Sequence, residues 1–465
     1  MRSWILLAVA CAPEDPAGPG PADQPPPPDP SDPYEPPVGT HPTETPTGGT
    51  PTVPDDSIVV GGLVFHGQLP TNLLVVSVDT TRRDYLSYFS GSGLTPNLDA
   101  ILNQSYVLAD HRSCSNWTGP SMTCVVSGKT AGENGFWPGG SLPQEGFGPT
   151  AKLLGDIGFD STVVTANGVY FADWCGTTWG FEKFIDYNFQ PADVVADVSL
   201  AEIAILDQGP NPWYFHVHFI DPHGSYCPPY GYVDQAEVHD EVPITDCYEM
   251  YWNLWYLWYL EPVMQDYFLE NVKLNYEGEL SFWDTQFGEM WSDLDSRGVL
   301  DDTLVVFVTD HGEQFGEHGG FYHGTWLASE ENRSTAAFWA KNLDPGVWDG
   351  VTIHQDVAAT LQAVFGLTPP LPISGIVAGT GAADRVVISY NLGTTISAAS
   401  HTRQLIYDWW GNKTLYHLDT DPTGTVNLYD PADPDVIDLW DELEPAIDDL
   451  ITQFPWIGQP YNPGP

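Results

Sequence analysis

Basic residues are scarce in this chain: 14 Lys and Arg stand against 63 Asp and Glu, a formal net charge of −49 over 465 residues. Residues 1–57 hold nine of the acids and one base, Arg2, so the rest of the chain is strongly acidic in its own right. Such a surface repels phosphate backbones and anionic lipid, which excludes nucleic acid and a charged membrane as partners held by charge. An anionic substrate would need cations fixed locally. Long apolar runs are missing as well. Past the first residues the most apolar stretch is Tyr251 to Leu260, about half the roughly 20 residues that a bilayer span needs. It reads as a buried helix or an aromatic binding wall. Cysteine is limited to six residues, none at the close paired spacing of a zinc site. What the chain does have is 42% apolar residues and 18 Trp, enough for a large core.

The N-terminus reads as an export signal. Arg2 precedes the apolar run Trp4 to Ala10, and Cys11 follows Ala8-Val9-Ala10. Small residues before a Cys and a polar tail after it suit a bacterial lipoprotein signal, residues 1–10, with Cys11 as the lipid anchor. An ordinary cleaved signal peptide is the alternative. Residues 11–57 are a Pro-rich acidic linker with too little aliphatic content to fold. The expected location is the bacterial cell envelope, lipid-anchored or extracellular. In an exported protein disulfides are expected. Cys227 with Cys247 is the preferred pair, and at least one of the five cysteines after Cys11 must be left over.

Folded sequence begins near Ser57. Residues 72–79 are a continuous apolar run, as in a sheet buried on both faces. Helices are expected from Thr95, over Thr150–Ile157, Asp193–Leu206, Leu274–Leu294 and Asp356–Phe365. Strands are expected at Ser161–Thr165, Trp213–Ile220 and Thr303–Thr309. This alternation predicts an α/β domain over residues 58–384, a mainly parallel sheet flanked by helices. After residue 385 the pattern changes. Short strands at Arg385–Tyr390, Arg403–Asp408 and Thr414–Leu418, then a helix from Asp433 to Phe454, predict a small antiparallel subdomain over 385–465.

In an open α/β sheet, ligands gather at the carboxyl ends of the strands. Asp79 ends the first strand, and Asp310 with His311 ends a later one. Carboxylates and an imidazole at one edge suit a divalent cation. A single strand-end Asp is more often a helix cap, so the inference rests on the set. Thr118 sits in Trp117-Thr118-Gly119-Pro120-Ser121, a turn opening a helix through Ser121 to Ser127. A helix N-terminus favours an anion, and a metal-bound hydroxyl ionises readily and can attack phosphorus or sulfur. Taken alone, Thr118 would be a helix cap. His223, in Asp221-Pro222-His223-Gly224 after a strand, is placed to hold a transferred oxygen or protonate a leaving group. His318 and His323 follow His311 in a glycine-rich stretch that can fold back and return His323 to the metal centre. His216 and His218 alternate on a strand and read as structural.

These blocks resemble the sulfatase-like hydrolases of the alkaline phosphatase superfamily. The resemblance rests on Val78-Asp79-Thr80, Thr95-Pro96-Asn97-Leu98-Asp99, Trp117 to Ser121, Asp221 to Gly224 and Tyr276-Glu277-Gly278-Glu279. It continues in Asp310-His311-Gly312-Glu313, Gly316-Glu317-His318-Gly319, His323-Gly324 and Leu418 to Pro422 with Asn427-Leu428. It implies metal ligation by Asp79, Asp310, His311 and Thr118, with Thr118 as nucleophile. It also implies that His223 and His323 contact the transferred group or hold a second metal. The cofactor implied is one or two divalent ions, Mn, Zn or Ca.

Two departures bear on substrate. Sulfatases carry Cys or Ser in Cys/Ser-x-Pro-x-Arg and oxidise it to formylglycine. Here the position is Thr118, which that oxidation cannot convert, and the Arg position is Met122. A threonine is similar to the superfamily's phosphodiesterase, phosphatase and phosphoethanolamine-transferase branches. The expected function is metal-dependent hydrolysis of phosphate monoesters or diesters, on an anionic substrate carried by a glycan or lipid. Alternatives are sulfate-ester hydrolysis at the same site, phosphoethanolamine-type transfer, or a decayed scaffold that binds glycan or lipid.

Overall fold

The computed structural model describes residues 56–130, 133, 147–242, 246–254, 260–391 and 395–453. The leader, most of the linker and the centre of the aromatic stretch, 255–259, lie outside the described residues. So does Phe454, the expected end of the last helix.

The first strand of the main sheet, β1 (Asn72–Val78), is the continuous apolar run. It lies near the middle of an eight-stranded sheet with β2 (Tyr106–Arg112), β3 (Asp160–Thr165), β4 (Lys183–Asp186), β5 (Trp213–Phe219), β6 (Thr303–Thr309), β7 (Arg333–Trp339) and β8 (Gly346–Ile353). The order is β8-β2-β7-β6-β1-β5-β3-β4. All neighbours are parallel except β7, which runs against both β2 and β6. The mainly parallel α/β sheet is therefore as expected. Strands β2, β4, β7 and β8 carry weaker patterns and were not expected.

Alternate side chains of β1 feed two cores, as the two-residue strand period requires. Leu74, Val76 and Val78 pack with Phe215, Val217, Trp283 and Phe287 on one face. Leu73 and Val75 pack with Val306, Val308, Val357 and Leu361 on the other. Each such buried side chain contributes about 1.5–3 kcal/mol.

The helices include α1 (Pro96–Leu102), α2 (Thr118–Ser127), α3 (Thr150–Asp156), α4 (Ala192–Asp207), α5 (Pro262–Ser296), α6 (His354–Val364) and α7 (Pro434–Gln453). Helix α5 has 35 residues and starts twelve residues before the expected Leu274. Its length lets one element serve several loops. The Asp284 carboxylate accepts from Asn97 N and Leu98 N at 3.0 and 2.8 Å, so α5 caps α1 in place of Thr95. Tyr276 O–H donates to Thr80 O at 2.8 Å and its oxygen accepts from Arg82 N at 2.9 Å, which fixes the turn after β1.

The C-terminal strands β9 (Val387–Asn391), β10 (Thr395–Ala399), β11 (Arg403–Asp408) and β12 (Lys413–His417) form an antiparallel meander. Strand β10 was not expected. Helix α7 lays Val436, Leu439, Leu443 and Ile447 on Ile396, Leu405 and Leu415. The first strand of the meander is sewn to the loop before Thr118. Tyr390 N donates to Cys114 O at 2.7 Å, Ser389 Oγ to Ser113 O at 2.6 Å, and Asn391 Nδ2 to Asn116 Oδ1 at 2.8 Å.

Cys227 and Cys247 are bonded, the preferred pair. Cys114 and Cys124 form a second disulfide that brackets Thr118, and Cys175 is free and buried. Among the described residues no helix is long and apolar enough to cross a membrane.

Candidate active site

Strand register brings the first carboxylates together. Val78 pairs with Thr309 of β6 and with Phe219 of β5, so the residues that follow leave the sheet side by side. Asp79 N donates to Phe219 O at 3.0 Å and Asp310 N to Val78 O at 3.2 Å. Thr80, at φ 45°, adopts the left-handed region and its amide donates to Asp310 Oδ1 at 3.0 Å. Both carboxylates are fully buried.

Thr118 is the first residue of α2, three positions earlier than the expected helix, and it is buried. Its hydroxyl donates to Asp79 Oδ2 at 3.3 Å. Ser121, one turn on, donates to Ser115 O and Asp310 O, both at 2.9 Å, and pins the helix start against β6. Met122 points the other way, fully buried among the apolar side chains beneath the sheet. It does not line the site.

His311 shows what the centre is built for. Its Nδ1 faces Gly312 O at 2.9 Å, and a carbonyl only accepts, so Nδ1 carries the proton. Nε2 is then a lone pair, 3.3 Å from Asp310 Oδ2 and 3.8 Å from Asp79 Oδ1. All three atoms are buried and without a hydrogen-bond partner. Three acceptors aimed at one point repel each other unless a cation lies between them. The residues therefore fit a divalent ion with mixed oxygen and imidazole ligands.

His218 also reaches this centre, with a ligand atom within 4.8 Å of one on Asp79 and one on Asp310. Its two ring nitrogens are already engaged, Nδ1 with Ser77 Oγ at 2.8 Å and Nε2 with Asp79 Oδ2 at 3.2 Å. It orients Asp79, and His311 has the freer lone pair.

The electrostatics suit a cation at this point. Burial alone would raise the Asp79 carboxyl, but His223, His218 and His311 outweigh it and hold Asp79 well below the carboxylate range. Burial and then Asp79 push Asp310 well above that range. Burial and then His323 push His311 far down.

The glycine-rich stretch returns as expected, through a hairpin in which Phe321 and Tyr322 pair with Phe315 and Gln314. It sets the His323 ring 4.6 Å from His311 and 5.1 Å from His223, centroid to centroid. His223 Nδ1 donates to Gly224 O at 2.8 Å, which leaves Nε2 free. His323 Nδ1 donates to Glu313 Oε1 at 3.0 Å. Burial opposes a charge on His323, but Glu313 overrides it and lifts the ring to about 9. His318 instead turns away to Glu330 at 3.0 Å.

Several residues of this centre were not singled out from sequence. Asn167 Nδ2 donates to Asp79 Oδ2 at 2.7 Å and lies 3.3 Å from Thr118 Oγ1. It follows β3, so the strand-end rule that found Asp79 and Asp310 applies to it equally. Glu331 accepts from Asn116 Nδ2 at 2.6 Å and Gly324 N at 2.8 Å, tying the Thr118 loop to the His323 loop. Nothing in local sequence marks that long-range link.

The family model described as Sulfatase matches residues 71–367. An arylsulfatase of Clostridium perfringens is 25% identical over 212 residues, 44% of this chain and 43% of that protein. The phosphatidylethanolamine transferase Mcr-2 of Escherichia coli is 36% identical over 72 residues, 14% of this chain and 13% of that protein. The chain thus spans less than half the length of these curated relatives. The phosphonate monoester hydrolase of Agrobacterium radiobacter has the same fold, with a TM-score of 0.63 and 17% identity over 83% of this chain and 96% of that one. With the family model covering well over half of the residues, the chain belongs to the sulfatase family of the alkaline phosphatase superfamily.

Proposed function

We propose that this protein is a metal-dependent hydrolase of phosphate monoesters or diesters that uses Thr118 as a covalent nucleophile. The observation that carries the reading is the placement of the Thr118 hydroxyl, at the first residue of α2 and 3.3 Å from Asp79 Oδ2. Asp79 and Asp310, with His311, would hold the ion, and Thr118 Oγ1 would be a further ligand. When bound, the ion supplies positive charge that lowers the hydroxyl pKa and stabilises charge on the transferred group. Thr118 Oγ, its proton lost to solvent, attacks phosphorus and the bond to the leaving oxygen breaks. His323, held protonated by Glu313, gives that oxygen its proton. His223 Nε2, free of other partners, would face a phosphoryl oxygen and donate to it when the ring carries a second proton. Water then attacks the phosphothreonine and gives a proton back to His323, the P–Oγ bond breaks, the phosphate product leaves and Thr118 Oγ is freed as the alkoxide. A second ion between His223, His323 and the unpartnered Glu313 Oε2 is compatible with this reading.

The choice of phosphate over sulfate rests on Thr118, which cannot become formylglycine, and on the burial of Met122 where sulfatases carry Arg. Sulfate-ester hydrolysis on the same residues is the second reading, favoured by the arylsulfatase match. An acceptor alcohol in place of water would give transfer, as the name of Mcr-2 suggests for that protein. Export and a lipid anchor at Cys11 complete the proposal.

The test is an assay of the full chain, wild type beside Thr118→Ala. Aryl phosphate monoesters, diesters and sulfate esters are each offered with Mn, Zn, Ca or Mg. Metal-dependent phosphoester turnover that Thr118→Ala reduces at least a thousandfold supports the reading. Turnover of sulfate esters alone overturns the substrate, and turnover that survives Thr118→Ala overturns the nucleophile.

A further inference from the structure

The scarce cations of this chain are not spread evenly. Of the seven arginines beyond residue 57, three meet around one carboxylate, Asp110. Arg112 ends β2 and Arg333 opens β7, directly opposite it in the antiparallel register. Arg112 Nη2 lies 3.1 Å and Arg333 Nη2 3.3 Å from Asp110 Oδ1. His401 Nδ1 takes the other oxygen at 3.0 Å. Arg83 enters from the short helix Arg83–Tyr85, its Nη2 donating to Ala109 O at 2.7 Å and its guanidinium 3.7 Å from the Phe89 ring centroid. The nearby Asp84 is exposed and committed to Arg82 Nε and Nη2, at 3.0 and 2.7 Å.

Asp110 therefore faces two more positive charges than it can balance. The donors are in surplus too. Arg83 Nε, Arg333 Nε and the Nε and Nη1 of Arg112 are buried without a hydrogen-bond partner, and the Arg112 side chain is fully buried with Asp110 as its carboxylate contact. Burial, with the neighbouring charges, takes Arg83 and Arg112 down to about 10, still charged at neutral pH. Burying guanidinium charge that a single carboxylate cannot balance is unfavourable unless further acceptors join it. Two uncompensated charges and four idle donors on three arginines suit a dianion with several acceptor oxygens, which a carboxylate or chloride does not supply. The rim is open to solvent, since the His401 side chain is 55% exposed and that of Arg333 is 21% exposed.

We propose that Arg83, Arg112 and Arg333 form a second oxyanion site, separate from Thr118, that takes one free tetrahedral dianion, sulfate or hydrogen phosphate, past His401. The bound ion braces the loops that leave these strands. Arg112 lies six residues before Thr118, and Arg333 lies two after Glu331.

The test uses the full chain carrying Thr118→Ala and His223→Ala and stripped of metal by a chelator, so that the catalytic centre is disabled as an anion site. Sodium sulfate and sodium phosphate are titrated calorimetrically at an ionic strength held constant with sodium chloride, and Tm is read in parallel. The expected result is one saturable site per chain and a rise in Tm. Arg333→Gln on the same background weakens binding at least tenfold. Arg112→Met removes it, and without oxyanion that variant melts no lower than its parent. Should Arg112→Met fail to fold, the partly exposed Arg333→Gln decides the matter. Absence of saturable binding overturns the proposal. So does binding, or a Tm rise, that is unchanged in Arg333→Gln.

Discussion

The Asn167 amide stands 2.7 Å from Asp79 Oδ2 and fixes which oxygen of that carboxylate faces the candidate metal centre. With one oxygen held by Asn167 and His218, the other, Oδ1, is left for a cation. The same amide lies 3.3 Å from the Thr118 hydroxyl. Asn167→Ala is expected to lower kcat by roughly 10–100-fold, the usual cost of losing one positioned donor. Asn167→Asp should be worse, because it sets a third carboxylate against Asp79. Steady-state kinetics on the best substrate, with saturating metal, checks both.

Three buried acceptors facing one another, Asp79 Oδ1, Asp310 Oδ2 and His311 Nε2, weaken the fold until a cation joins them. Divalent metal added to chelator-treated protein is expected to stabilise it, by about 2.7 kcal/mol at a hundredfold excess over Kd. Mn or Zn should do so at lower concentration than Mg, given the imidazole. Asp310→Ala should melt at one temperature with and without metal. Thermal melts with each ion give the answer.

His111 and His354 are both fully buried, with rings 5.2 Å apart. Burial, then the charge of His354, holds His111 well below its ordinary value, and burial takes His354 to about 4. Unfolded, each titrates near 6.5. The folded values are depressed, so between these limits the unfolded state binds more protons. Stability from this pair is complete above about pH 6.5 and falls as the pH drops toward 4. Urea midpoints at pH 7, 6 and 5 should decline, and His354→Gln should flatten the decline by close to one proton.

Met122 occupies the place where sulfatases carry arginine, yet it is packed under the sheet beside Val125, Val357 and Leu361. Restoring the family residue with Met122→Arg is expected to destabilise the protein by about 3 kcal/mol or more, the cost of burying an unpaired charge. It should bring no gain in sulfate turnover. Denaturant unfolding and the sulfate assay together test this.

The strands that hold Asp79 and Asp310 were legible because each is an unbroken apolar run ending in a carboxylate. Thr303–Thr309 matched residue for residue. Strand β7 was missed because Arg333-Ser334-Thr335 is polar, and its burial comes from pairing with β2 and β6. The early part of α5 was missed because Pro262 to Lys273 has no clean apolar stripe, and the element is held by Phe268 and Val272 in a separate cluster. Within the site, Thr118, His223, His311 and His323 do come together. His218 was read as structural because alternation on a strand says only which face a side chain takes, not what waits there. Asp79, across the parallel pairing of β1 and β5, is what gives it a role.

The seam between Ser389-Tyr390-Asn391 and the loop Ser113 to Asn116 changes how the two halves of the chain can be inherited. A cut at residue 384, which composition invites, would strip three hydrogen bonds from the segment that leads to Thr118. The meander and the catalytic sheet are thus poor candidates for separate exchange between relatives. A recombination that kept the sheet of one parent and the meander of another would need to preserve this short seam, and selection on activity would act on it from both sides.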